Sequence, residues 1–455
     1  MKKFLIFIIS SIIFLSSVFC VTAGASYNSL TETLSLHSEN YFFMSLDNDT
    51  VIFEKNADKQ LLPASLTKIV TATVVLENCS DLSAVVTAPA YCIEMLNGTG
   101  SSTAGIKDGE QLSVDDLLHY LLIESANDAA LILADYVCKG DIDAFIKLMN
   151  EVVEKAGCTN TNFVNPHGLD DEYQFSTPRD MAKLMKYAVQ NSHFKNIISL
   201  KSYTIPASNL RKAQTILNTN KTLNATYTDY YSKYIVGGKT GSTSKAGKCL
   251  ATISSNNGYN YVCVIMNAPQ YNIDDDRAEE NCAFVDTRIM TDWAMKNLEL
   301  VKIADTANVA AEVPVRLSFT ADYVTLCPSE DKYELVPTGT NEGNVEIKPV
   351  EGTVPEVLTA PVKKGDVICK ANVLYGGEPI AEIELVASND MRRSVILSVL
   401  DVLSRVFSSL PMKLLGAAVL IFIVVLVCLR IRSIMRKRKR DSLHIVSDNT
   451  NQNMR

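Results

Sequence analysis

No CxxC pair occurs in this chain, and its eleven cysteines stand apart from one another. Nine lie outside the two terminal apolar segments: Cys79, Cys92, Cys138, Cys158, Cys249, Cys263, Cys282, Cys327 and Cys369. Metal sites and dense disulfide frameworks need closely spaced thiols, so this scatter argues against both; no metal and no cofactor are expected. An odd number leaves at least one thiol unpaired. Cys138, Cys249 and Cys263 sit in apolar stretches and read as small core residues. Positive charge is also short. The 43 Lys and Arg against 51 Asp and Glu give −8, and the segment from Arg430 onward holds +6 of its own, so the remainder stands at −14. An acidic surface repels a phosphate backbone, which excludes nucleic acid as a partner. Internal repeats and low-complexity tracts are missing as well.

The ends are more informative. Met1-Lys2-Lys3, an apolar run from Phe4 to Val21 and then Ala23-Gly24-Ala25 make the three regions of a secretory signal peptide over residues 1–25; an uncleaved anchor is the alternative. Cys20 does not make this a lipoprotein signal, because Phe19 stands where a small residue is needed. At the other end, sixteen residues from Leu414 to Leu429 carry no charge. They span only about 24 Å as a helix, but Leu410 to Ile431, with Lys413 reaching toward the headgroups, gives about 33 Å against a ~30 Å hydrocarbon core. A transmembrane helix in contact with lipid is expected over 411–431. Arg430, Arg432, Arg436, Lys437, Arg438, Lys439 and Arg440 then mark a cytoplasmic tail over 432–455, which leaves everything upstream of the span outside the cell membrane.

The 385 residues between signal and span are too many for one core. Residues 38–300 mix strong helical patterns with strands. Residues 301–390 read as a small all-β domain, with strands at 312–317, 345–347, 367–369 and 380–385. Over 391–410 an amphipathic pattern follows, with Val395, Val399, Val402, Leu403 and Val406 on one side and Ser394, Ser398, Asp401 and Arg405 on the other. Such a helix either lies on the membrane surface or packs on the β domain.

Three short patterns carry chemistry. In Pro63-Ala64-Ser65-Leu66-Thr67-Lys68, proline and small residues precede an apolar helical run, so Ser65 opens a helix and Lys68 shares its face. A serine hydroxyl becomes a nucleophile when a neighbouring base takes its proton, and a lysine kept neutral can be that base. The spacing recurs in Ser242-Thr243-Ser244-Lys245. Ser125-Ala126-Asn127 falls between two helices, the first opened by a capping-box-like Ser113-Val114-Asp115-Asp116; on its own, Ser125 or Asn127 reads more readily as the cap of the second. Lys239-Thr240-Gly241 ends a strand that feeds a hairpin, Leu250 to Ser255, Asn256-Asn257-Gly258, then Tyr259 to Met266. A Lys-Thr pair on a strand edge can hold a carboxylate while glycine lets a peptide lie close.

In that order the three resemble the penicillin-binding-protein and serine β-lactamase set. Asn165-Pro166-His167-Gly168-Leu169 and Ser176-Thr177-Pro178-Arg179-Asp180-Met181-Ala182 are similar to blocks of its D-Ala-D-Ala carboxypeptidase branch, and the resemblance covers roughly 38–300. It implies an α/β (α+β) penicillin-binding-protein-like transpeptidase domain whose site lies between a five-stranded sheet and a helical lobe. It also implies peptidoglycan stem peptides ending in D-Ala-D-Ala as substrate and β-lactams as covalent inhibitors. Ser65 would attack the penultimate D-Ala carbonyl, with Lys68 as base and Ser125 relaying the proton. Asn127 would hold the substrate amide, and Lys239 and Thr240 its carboxylate, with Gly241 beside them. The backbone N–H groups of Ser65 and Ser242 would form the oxyanion hole, and Arg277 would add a second cation for the carboxylate. His167 reads as a turn residue. A class A β-lactamase usually has Asp where Ala126 stands, and no Glu block for deacylation is evident between Asn127 and Lys239. Asn218-Thr219-Asn220 stands where some relatives carry an arginine, and a full span replaces the terminal amphipathic helix in which many end.

Overall fold

The computed structural model describes residues 34–270, 280–339, 345–375 and 377–452; the expected signal segment and Arg277 lie outside them. The chain divides into two compact units. The first takes residues up to Ala304 with Asp331–Glu346 and Val373–Ala381, the second Asp305–Glu330, Ile347–Asn372 and the chain from Glu382.

Five antiparallel strands organise the first unit: β1 Tyr41–Ser45, β2 Val51–Lys55, β3 Ile235–Thr243, β4 Gly247–Asn256 and β5 Tyr259–Ala268, in the order β2-β1-β5-β4-β3. Side chains alternate across a strand, and here each face meets its own apolar layer. Phe42, Met44, Ala251, Val262, Val264 and Met266 join the core of the helical lobe. Phe43, Leu250, Tyr261, Cys263 and Ile265 join a second core with Met290 and Ala294. A strand buried on both faces has no polar alternation, which is why Tyr261 to Met266 is almost continuously apolar. The β4–β5 turn is the expected two-residue hairpin, with Asn257 at φ +50° and Gly258 at φ +91°.

The helices of six or more residues in this unit are α1 Thr67–Asn78, α2 Val114–His119, α3 Asn127–Cys138, α4 Ile142–Lys155, α5 Pro178–Ala188, α6 Ser192–Ser199 and α7 Cys282–Asn297. Every residue of α1 from Thr67 to Val75 is buried, so it is the central helix of its lobe rather than an amphipathic surface helix. The capping start of α2 is present: Ser113 Oγ accepts from the Asp116 backbone N–H at 2.9 Å. Cys249 and Cys263 are core residues, whereas Cys138 is half-buried.

Beyond α7, β6 Leu298–Ala304 pairs with β9 Lys332–Pro337. A six-stranded sheet is built from β7 Ala311–Arg316, β8 Tyr323–Pro328, β10 Val345–Pro349, β11 Leu358–Thr359, β12 Val367–Tyr375 and β13 Glu378–Ala387, in the order β10-β12-β13-β8-β7-β11. Helix α8, Val395–Ser408, buries none of its residues. Helix α9 runs from Leu410 to Gln452, and its Leu410–Lys437 segment is the one helix among the described residues long and apolar enough to cross a membrane.

Candidate active site

Ser65 stands one step ahead of the α-helix that its apolar run predicts. Ala64–Leu66 form a 3-10 turn and α1 begins only at Thr67. The interruption comes from Ala64, held at φ +47°, a left-handed conformation that is costly for a residue with a Cβ. Three contacts lock it. Thr67 Oγ1 donates to the Ala64 carbonyl at 2.8 Å. Gly168, at φ +90°, lies so close that a Cβ there would stand 2.0 Å from the same carbonyl oxygen. On the other side a Cβ at Gly241 would meet Ser65 N at 3.1 Å and Ala64 Cβ at 3.2 Å, so the β3 backbone passes directly against the Ser65 amide.

Lys68 is fully buried, with Nζ 2.9 Å from Ser65 Oγ, 2.6 Å from Asn127 Oδ1 and 2.6 Å from the His167 carbonyl oxygen. Both carbonyl-type oxygens can only accept. A neutral amine therefore directs its two N–H groups to them and turns its lone pair to the Ser65 hydroxyl, which then donates. Burial, and next the Lys239 cation, hold the Lys68 pKa well below the usual lysine value, with Asp128 opposing them. Oδ1 of Asn127 is engaged by Lys68, which leaves its Nδ2 to donate elsewhere.

Helix α2 runs into a π-turn, Tyr120–Glu124, and the chain then breaks at Ser125 in the left-handed region, φ +67°. Ala126 occupies the cap position of α3 with no side-chain bond, so neither Ser125 nor Asn127 serves as a cap. Instead Lys239 Nζ donates to Ser125 Oγ at 2.8 Å and to the Thr240 carbonyl at 2.8 Å. Burial lowers the Lys239 pKa to about 7. Thr240 Oγ1 lies 2.6 Å from Thr219 Oγ1, and the exposed Ser242 Oγ accepts from Lys248 Nζ at 3.1 Å. Ser65, Lys68, Asn127, Ser125 and Lys239 thus form two linked clusters on facing elements, with Thr240, Gly241 and Ser242 following along β3.

Sequence reasoning missed the supports. The His167 contribution is its carbonyl; its ring Nδ1 accepts from the Leu169 N–H at 3.2 Å, and burial followed by Lys68 brings its pKa to about 3, so the ring is neutral. Asn165 Oδ1 accepts from the Gly168 N–H at 2.7 Å, and Thr71 Oγ1 donates to the Pro166 carbonyl at 2.6 Å, which fixes the loop that presents that carbonyl. Asp128 accepts from the Ala104 and Ile106 N–H groups, each at 3.0 Å, tying down the segment whose Ser102 carbonyl accepts from the Asn127 N–H at 2.9 Å. The quoted block Asn165 to Leu169 signalled the first of these; nothing local signalled Asp128.

Comparison with known proteins agrees with this geometry. A family model described as D-alanyl-D-alanine carboxypeptidase matches residues 27–270, and one described as the penicillin-binding protein 5 C-terminal domain matches 302–393. The D-alanyl-D-alanine carboxypeptidase DacC of Escherichia coli (strain K12) is 31% identical over 386 residues, covering 82% of this chain and 89% of that protein. The DacA protein of Haemophilus influenzae is 28% identical over 360 residues, 78% of this chain and 85% of its own length. The solved structure of penicillin binding protein 5 from Haemophilus influenzae superposes with a TM-score of 0.63 at 27% identity, covering 79% of this chain and 99% of that one. Family match, shared length and domain order together place this chain in the D-alanyl-D-alanine carboxypeptidase family, as a serine-type peptidase of the penicillin-binding-protein group.

Proposed function

We propose that the chain removes the terminal D-alanine from peptidoglycan stem pentapeptides through an acyl-enzyme on Ser65. One observation carries the reading: the Lys68 amine, wholly buried and with its proton affinity lowered by burial, stands 2.9 Å from the Ser65 hydroxyl. Lys68 Nζ takes the hydroxyl proton as Oγ bonds to the penultimate D-Ala carbonyl carbon. The resulting oxyanion is held by the Ser65 and Ser242 N–H groups, each such donor supplying about 3 kcal/mol of transition-state stabilisation. As the C–N bond breaks, Ser125 relays the proton held on Lys68 to the departing D-alanine nitrogen, which leaves Lys68 neutral, and water then hydrolyses the ester. Asn127 Nδ2 binds the substrate amide. Lys239, Thr240 and Arg277 bind the free carboxylate, the group that distinguishes a chain end from an internal bond. β-Lactams acylate the same serine.

The span Leu410–Lys437, its basic flank and the signal-like residues 1–25 support a single-pass protein whose catalytic domain, read as 38–300, and β domain, read as 301–390, both lie outside the cell. Protease added to wall-stripped cells should remove that domain and spare a small C-terminal fragment. Endopeptidase and transpeptidase reactions share the acyl-enzyme and differ in the scissile partner or acceptor. Mass analysis of a pentapeptide incubated with the protein decides among them: loss of one alanine is expected, whereas an unchanged or cross-linked peptide would refute hydrolysis.

A further inference from the structure

Both backbone donors assigned to the oxyanion in the function proposed above, on which this inference rests, lean on one loop, Asn165 to Asp170. The Ser65 N–H shares a planar peptide unit with the Ala64 carbonyl, so whatever holds that carbonyl aims that N–H. Thr67 Oγ1 donates to the carbonyl at 2.8 Å, and Gly168 lies against it too closely to admit a Cβ. The Ser242 N–H stands near the end of β3, and its restraint comes from the same loop. Thr243 Oγ1 accepts from the Ala246 N–H at 2.9 Å, which closes the β3–β4 turn, and donates to Asp170 Oδ1 at 2.7 Å.

The loop is itself anchored. Asn165 Oδ1 accepts from the Gly168 N–H at 2.7 Å and from Gln174 Nε2 at 3.1 Å, while Asn165 Nδ2 donates to the Leu169 carbonyl at 3.0 Å. Gln174 Nε2 also reaches Thr67 Oγ1 at 3.2 Å, which links this loop to the hydroxyl that holds Ala64. Asp170 follows directly on the braced segment. Among the described residues Thr243 is the one hydrogen-bond partner of its carboxylate, and no cation pairs with it. A carboxylate only accepts, so the Thr243 hydroxyl gives its proton to Asp170 and keeps a lone pair for the Ala246 N–H. We infer that Asp170 is a positioning residue: through the Thr243 hydroxyl it fixes the Ser242 N–H relative to the Ser65 N–H and so sets the width of the oxyanion hole. Donors aimed at developing charge act only when in place, and a displacement of about 1 Å costs up to a hundredfold in rate.

The test follows D-alanine release from acetyl-Ala-D-Ala-D-Ala by the full chain and by Asp170→Ala, Asp170→Asn and Thr243→Val. Asp170→Ala should lower kcat about tenfold with KM within about twofold, since the role is exerted on the transition state. Thr243→Val, which removes the hydroxyl at nearly constant volume, should lose as much. Asp170→Asn keeps an acceptor oxygen and should return to within about threefold of wild type. An unchanged kcat in Asp170→Ala or Thr243→Val overturns the role. So does a raised KM at unchanged kcat, which would make Asp170 a substrate contact, or an Asn variant as slow as the Ala variant, which would make its charge the active property. If Asp170→Ala does not fold, Thr243→Val and Asp170→Asn decide by the same criteria. These outcomes leave the carboxypeptidase reading standing. No release by the wild-type protein refutes that reading, and the positioning role falls with it.

Discussion

Ser65 and Ser242 each have a lysine three residues on, and they belong to segments that touch one another through Gly241. The likeness ends there. Ser65 lies in a turn feeding a helix, where residues three apart stack at about 5–6 Å and Lys68 is drawn inside the lobe. Ser242 lies near the end of an extended strand and Lys245 in the turn that follows it, so Lys245 stays exposed and Lys248 from the neighbouring strand reaches Ser242 instead. Burial then separates the two lysines chemically. Lys68 loses its hydration and gains a neighbouring cation, both of which favour the neutral amine. The same spacing gives a buried, hydrogen-bonded Ser–Lys pair in one backbone and a pair of separated surface residues in the other.

The largest expected effect follows directly. Ser65→Ala should abolish covalent labelling by radiolabelled penicillin, and Ser242→Ala should retain substantial labelling because only the Ser242 backbone is assigned a role. The opposite pattern would invert the assignment. Next come the lysines: Lys68→Ala should slow acylation by roughly a thousandfold, within the range for removing a general base, whereas Lys245→Ala should stay within about twofold. Stopped-flow acylation with a chromogenic β-lactam measures both.

A smaller effect tests the backbone that makes the first segment special. Gly168→Ala forces a Cβ onto the Ala64 carbonyl and should cost on the order of 3 kcal/mol or more of unfolding free energy, with loss of labelling. Gly157→Ala, also at positive φ (+69°) but with nothing within 4 Å, should cost only about 1 kcal/mol. Denaturant melts compare them; equal costs would mean that φ alone, not the packing against Ala64, sets the penalty. The mildest effect is one of pH. Lys239 is a cation below about 7 and loses its charge as pH rises through that value. Preference for a peptide with a free C-terminal carboxylate over its C-terminal amide, read as a ratio of kcat/KM, should therefore decline above pH 7, and Arg277→Ala should deepen the decline. A ratio flat from pH 6 to 9 in the wild-type protein would take Lys239 out of carboxylate recognition.

Much of this was legible in the chain because it rests on local rules. The Ser113 cap, the Asn257-Gly258 hairpin and the strands later found as β7, β10, β12 and β13 follow from side-chain periodicity and turn chemistry, which neighbours in sequence determine. The five-stranded sheet was implied by resemblance rather than by pattern, since β1 is brought beside β5 across more than two hundred residues of chain. The site divides the same way. Motifs named the groups that contact one another, but the partners acting through backbone carbonyls were silent. A carbonyl has no side-chain signature, so the His167 oxygen beside Lys68 was invisible until the fold placed it. The 3-10 entry at Ala64 was hidden for a related reason: an alanine gives no hint of a left-handed backbone, and the glycines that make room for it are 104 and 177 positions away.

That joint has a consequence for how the enzyme comes into being. Ala64, Gly168 and Gly241 belong to the entry of the central helix, a loop beyond the helical lobe, and the edge strand of the sheet, and each restrains the others. The reactive turn has no local sequence holding it in shape, so it assembles only when segments distant in the chain have docked, the slow class of contact in folding. Acylation competence should therefore be the last property the domain acquires. A chain truncated before Gly241 keeps both Ser65 and Lys68 at their sequence spacing, yet it should carry a serine no more reactive than any other.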